Sequence, residues 1–193
     1  MGPLALSAPC ARSLRPVGGC SSDLADSAQL LRAALIDARE TGVLSPERLR
    51  TGCIYEGQPL TSYCFAVMRF DPRRSGRRHV PIHAWWPELA PSVSLLNSYR
   101  QMDAHGQRHI QWPVFASRYL AELGRVPAQV LLAFLDLLNT MSCRYTTVIL
   151  LCCEHATAGD ERLVRCHRRL LKAWLLGTTN LLPELARTNR TEQ

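Results

Sequence analysis

No stretch of this 193-residue chain approaches the ~18 consecutive apolar residues of a membrane-spanning helix, so no membrane is expected among its partners. The phosphate-cradling G-x-x-x-x-G-K-[ST], the dinucleotide fingerprint G-x-G-x-x-G and the nucleophile elbow G-x-S-x-G are all missing. Their absence argues against a standard nucleotide hydrolase, a dinucleotide enzyme and a serine hydrolase. Internal repeats and heptads are also missing. Met1 to Ala11 has no basic start and is interrupted by Pro3 and Pro9, a poor match to a signal peptide. The expectation is a soluble, cytoplasmic protein. Lysine is nearly absent: Lys172 is the only one among 23 basic residues.

What is present is arginine. With 16 acidic residues, the formal charge is +7. Arginine forks suit phosphate and carboxylate, and a basic surface admits an acidic partner, either a phosphate-bearing small molecule or nucleic acid. An arginine-rich coding bias accounts for the same composition, and nothing here sets an oligomeric state. The eight cysteines follow no regular framework, and several lie inside apolar runs, where cysteine behaves as a small buried hydrophobe.

The length suits one domain with a real core plus an extension. Residues 1–22, rich in Gly, Pro and Ser, read as a disordered leader. Residues 23–48 read as a helical extension: Ser22 or Asp23 can cap it, Leu24, Ala28, Leu31, Leu35 and Ala38 fall at helical spacing, and Gly42 ends it. The main domain is placed at 49–186, with a tail over 187–193. In it, Cys53-Ile54-Tyr55 and Tyr63 to Met68 are β-prone runs. Helices are predicted after Ser92, from Trp112-Pro113 and from Pro127. The run Thr146 to Leu151 suits a strand buried on both faces. Strands early and late with helices between them predict an α/β fold, a single domain with a mixed or mostly parallel sheet flanked by helices.

The chemistry concentrates around that last strand. Ligands collect beyond the carboxyl ends of strands in open α/β sheets. Cys152, Cys153, Glu154 and His155 follow the strand, and Cys166-His167-Arg168 opens or rides on the next helix. A helix beginning at Cys166 would set its thiol at the positive end of the dipole, favouring thiolate and an anion site; a helix beginning earlier would bury the triplet as packing. Glu154 is a candidate general acid or base, or an ion-pair partner of Arg69 or Arg73. Cys152 or Cys153, His155, Cys166 and His167 offer metal-ligand types, but the spacing lacks a C-x-x-C knuckle, so no metal and no cofactor are assigned. The Arg69 to Arg78 loop, holding Asp71 and Arg73, is a second anion candidate or a solvated charged loop.

Several stretches together resemble the YeaO-like family, the domain of unknown function 488. The correspondence is carried by Tyr55; by Arg69, Pro72 and Arg73; by Trp86, Glu88, Leu89, Ala90, Pro91 and Ser92; by Arg118, Tyr119, Glu122 and Leu123; by Val148 to Leu151; and by Cys152, Glu154, Cys166, His167 and Arg168. It covers about Leu49 to Leu176. Met68 stands where the family loop has aspartate, Asp71 where it has tryptophan, and the segment between Cys152 and Cys166 is longer than usual. The resemblance implies an α/β fold and little about activity. Taken together, the residues predict a cleft with Glu154, Cys166 and His167 as catalytic groups. Arg69, Arg73 and Arg168 would bind an anion, and Tyr55, Asp71 and His155 would line the walls. Whether turnover occurs stays open; the alternative is a basic nucleic-acid-binding or protein-interaction module.

Overall fold

A computed structural model of the chain describes residues 21–72, 81–153 and 165–181. The anticipated leader up to residue 20, Arg73, Glu154, His155 and the tail lie outside the described residues.

The elements run α1 (Ser21–Glu40), β1 (Leu49–Cys53), β2 (Ser62–Ala66), β3 (Ala84–Trp85), α2 (Val93–Arg100), α3 (Trp112–Leu123), α4 (Ala128–Ser142), β4 (Thr147–Cys152) and α5 (His167–Leu176). The four strands form one sheet in the order β1-β4-β2-β3, and every pairing is parallel. The fold is therefore α/β, as expected from strands early and late with helices between them. β4 is central. Its unbroken apolar run is explained by burial on both faces: Val148 and Leu150 join the main core, while Ile149 and Leu151 join a second cluster with Ile54 and Cys64.

The helices gather over the first face. Phe134 of α4 meets Phe65 of β2 edge-on at 5.3 Å, and Leu170 and Leu171 of α5 lie in the same core. Local signals set the ends of these elements. Ser92 caps α2 by accepting from the Leu95 amide at 3.1 Å. Pro113 occupies the first turn of α3 and Pro127 precedes α4. Gly177, at φ 72°, closes α5 in the left-handed region.

One strand differs from expectation. The β-prone run Cys53-Ile54-Tyr55 is the exit from β1 rather than the strand itself, which occupies Leu49–Cys53. Leu49 to Cys53 pair in register with Val148 to Cys152. That pairing makes a strand of Leu-Arg-Thr-Gly-Cys, a sequence with weak β propensity, so tertiary contact overrides it. Gly52 is needed for close packing: a Cβ there would stand 2.8 Å from the Gln58 side-chain nitrogen and 2.9 Å from an Ile149 methyl.

α1 belongs to the same body. Leu31, Ala34 and Leu35 pack against the core that holds Leu131 and Leu135 of α4. Arg39 reaches across to the end of α5, where its Nε donates to the Leu175 carbonyl at 2.8 Å and its Nη2 to that of Trp174 at 3.3 Å. A cation over the last carbonyls of a helix offsets its negative end.

Candidate functional site

β2 and β4 are parallel neighbours, so the chain leaves both at one edge of the sheet. α5 begins there: its first residue is His167 and Cys166 is its N-cap. The start that would suit an exposed thiolate is thus present, yet Cys166, His167 and Arg168 are 1%, 5% and 2% exposed. The helix opens into the protein rather than into solvent.

Two of these groups, Cys166 and His167, form a tight cluster with Cys152. The sulfurs of Cys152 and Cys166 lie 3.8 and 4.0 Å from His167 Nδ1. The other ring nitrogen, Nε2, lies 2.6 Å from the Val67 carbonyl oxygen. A carbonyl only accepts, so Nε2 carries the proton and, in the neutral ring, Nδ1 turns its lone pair to the two sulfurs. Burial pushes the Cys152 thiol up to about 12, so without a compensating cation it is a protonated donor at neutral pH. Arg168 is engaged separately, its Nη1 donating to the Gly52 carbonyl at 2.6 Å; its charge lies buried against the end of β1.

Arg69 is placed elsewhere. Its Nε donates to the Pro91 carbonyl at 2.9 Å and its Nη2 to that of Ala90 at 2.6 Å. Beside it, the Glu122 carboxylate accepts from the Ser92 amide at 2.9 Å and from the Ser92 hydroxyl at 2.5 Å, and Tyr119 donates its hydroxyl to the Leu89 carbonyl at 2.5 Å. The shared residues Leu89 to Ser92, Tyr119 and Glu122 thus staple the loop before α2 to α3. Their polar atoms are consumed in that fastening. Tyr55 packs on the second sheet face. Asp71 lies in the segment after β2.

The residues sequence reasoning missed lie on the other side of His167. A cavity of about 390 Å³ is bordered by His167 and Cys153, by Arg100, Arg108 and Arg165, and by Leu96, Tyr99, Trp112 and Phe115. No carboxylate lines it among the described residues, and Arg69, Tyr55 and Asp71 do not border it. The Arg108 guanidinium lies 4.5 Å from the centre of the Tyr99 ring and donates to the Tyr99 carbonyl at 2.9 Å, a stacked and bonded placement that holds the fork in one orientation. Trp112 and Phe115 stack at 5.2 Å. Trp112 is 4% exposed, and its buried indole N–H has no hydrogen-bond partner among the described residues. An unpaired buried donor costs about 1–3 kcal/mol, which a ligand oxygen or a trapped water would relieve. The three arginines are scattered in sequence and carry no shared motif. The one available signal was that Arg100 ends an apolar helix and that His105-Gly106 returns the chain past it.

No curated protein and no solved structure matches this chain. Residues 58–179 match the family model DUF488-N3a, described as the active DUF488-N3 subclade. That span contains β2 to β4, the stapled loop, the cavity and the Cys–Cys–His cluster, and the chain belongs to this family.

Proposed function

We propose that the chain binds a phosphate-bearing, nucleotide-like small molecule in the cavity between α2, α3 and the start of α5. The carrying observation is the convergence of Arg100, Arg108 and Arg165 with Tyr99, Trp112 and Phe115 around about 390 Å³, without a carboxylate among the described lining. Forked cations recognise phosphate oxygens bidentately, and aromatic faces take a planar base or sugar face. The volume lies within the range of small-molecule sites. In the sequence Glu154 and His155 follow Cys153, which borders this cavity, and they are residue types suited to proton transfer. The designation of the subclade as active favours turnover over passive binding.

The test is a thermal-shift and calorimetric screen of nucleoside phosphates and sugar phosphates on the full chain. A stabilising ligand should bind about tenfold to a hundredfold more weakly to Arg108→Ala and to Arg165→Ala, the loss expected for a charged hydrogen bond. Arg69→Ala should lose stability without losing the ligand selectively. Unchanged affinity in both cavity variants would sink the reading. Binding to polymeric nucleic acid alone, falling steeply with salt, would replace it with a basic-surface function.

A further inference from the structure

The cluster beside the cavity has the composition and spacing of a metal site. Its ligand atoms, Cys152 Sγ, Cys166 Sγ and one His167 ring nitrogen, all lie within 4.8 Å of one another and all three residues are buried. Around tetrahedral zinc, with Zn–S about 2.3 Å and Zn–N about 2.0–2.1 Å, a ligand sulfur and nitrogen stand about 3.5–3.6 Å apart. The observed 3.8 and 4.0 Å separations close to that distance with shifts of a few tenths of an ångström.

The orientation of the histidine is a second, independent observation. Its Nε2–H is fixed by the Val67 carbonyl at 2.6 Å, the arrangement by which ligating histidines are held in one tautomer. This leaves Nδ1 as the donor atom, facing both sulfurs. The three residues come from two places, the end of the central strand and the N-cap and first residue of α5.

We propose that Cys152, Cys166 and His167 hold a zinc ion, with the fourth position open to the arginine-lined cavity that His167 borders. Two thiolates and a neutral imidazole suit zinc in ligand type. Binding releases the two thiol protons to solvent. The site then carries two positive and two negative charges, so a neutral unit is buried. Cys153 also borders the cavity but is not one of the three clustered ligands. Three protein ligands with an open fourth position is the composition of catalytic rather than structural zinc.

The experiment uses metal alone and does not depend on the anion reading. The reduced full chain is titrated with cobalt(II), then with zinc, and its metal content is measured after purification. The expected result is one ion per chain, thiolate-to-cobalt charge-transfer absorption with tetrahedral ligand-field bands, and displacement of cobalt by zinc. Cys166→Ser is the informative variant, because serine is a favoured N-cap and keeps the start of α5 intact. It should weaken zinc by more than about tenfold, at least the loss seen when a supporting partner of a ligand is removed. Cys143→Ser, at an exposed thiol, and Cys153→Ser should keep the spectrum. Absence of the charge-transfer band in the reduced parent chain would overturn the proposal, as would a full-strength band in Cys166→Ser. Loss of the band in Cys153→Ser would overturn the open fourth position.

Discussion

Burial pushes the Cys64 thiol up to about 11 from its ordinary value of 9.0, because the thiolate has no solvent and β2 lies against the central strand. The sign of the consequence follows directly. The unfolded chain gives up this proton first, so the stability tied to the neutral thiol is complete below about pH 9 and is lost as pH rises toward 11. The amount at stake is roughly 2–3 kcal/mol. Urea unfolding at steps from pH 7 to pH 10.5 should show a decline in stability that is shallower in Cys64→Ala; equal slopes in the two proteins would show that another group governs the alkaline loss. Exposure separates the thiols in the same way. Cys143 is exposed whereas Cys64 is 1% exposed, so mass mapping after brief alkylation of the native chain should find Cys143 modified well before Cys64.

Between elements, a few polar side chains do the fastening. Arg39 joins α1 to the end of α5 through two carbonyls. Arg39→Ala should cost about 1.5–3 kcal/mol, the range for hydrogen bonds involving a charged group, read as a lower denaturation midpoint with little change in slope. Glu122 ties α3 to the amide and hydroxyl of Ser92. In Glu122→Ala the Ser92 amide loses its acceptor, and a similar loss is expected. Glu122→Gln should recover part of it, since the amide oxygen still accepts. If both variants fall equally, packing rather than the hydrogen bonds carries the effect. Ser92 and Glu122 lie in the segments by which the chain resembles its family, so part of that shared pattern is structural: it positions α2 and α3, whose ends border the cavity.

At the scale of the whole molecule, the family match over residues 58–179 leaves out α1 and β1. Both are nevertheless part of the body. β1 pairs along its full length with the central strand, and α1 buries Ala38 while packing Leu31 and Leu35 against the core. A chain lacking residues 1–42 should therefore lose more than about 3 kcal/mol, at about 1.5–3 kcal/mol per large apolar side chain removed from contact. It should also self-associate through the uncovered face of α4. Thermal unfolding and size-exclusion chromatography would check this, and an unchanged midpoint with a monomeric profile would mean that α1 is a dispensable appendage.

Local chemistry in the sequence determined much of this fold. Ser92, Pro113, Pro127 and Gly177 act on their own neighbours, so the ends they set are readable without a partner. The apolar run at β4 announces burial on both faces because period alone carries that message. Cys152, Cys166 and His167 were readable as members of a larger set of metal-ligand types that also held Cys153 and His155, and the sequence did not single out these three. Only the tertiary structure decided that Leu49–Cys53 is a strand, since its β character comes from pairing with β4. It also decided that Arg69 spends its guanidinium on the Ala90 and Pro91 carbonyls while Arg100, Arg108 and Arg165 meet around one cavity. The reason is physical: a charge in sequence shows only what a side chain can bond. Which acceptor or cavity it reaches is set by packing between elements far apart in the chain, where no local preference acts.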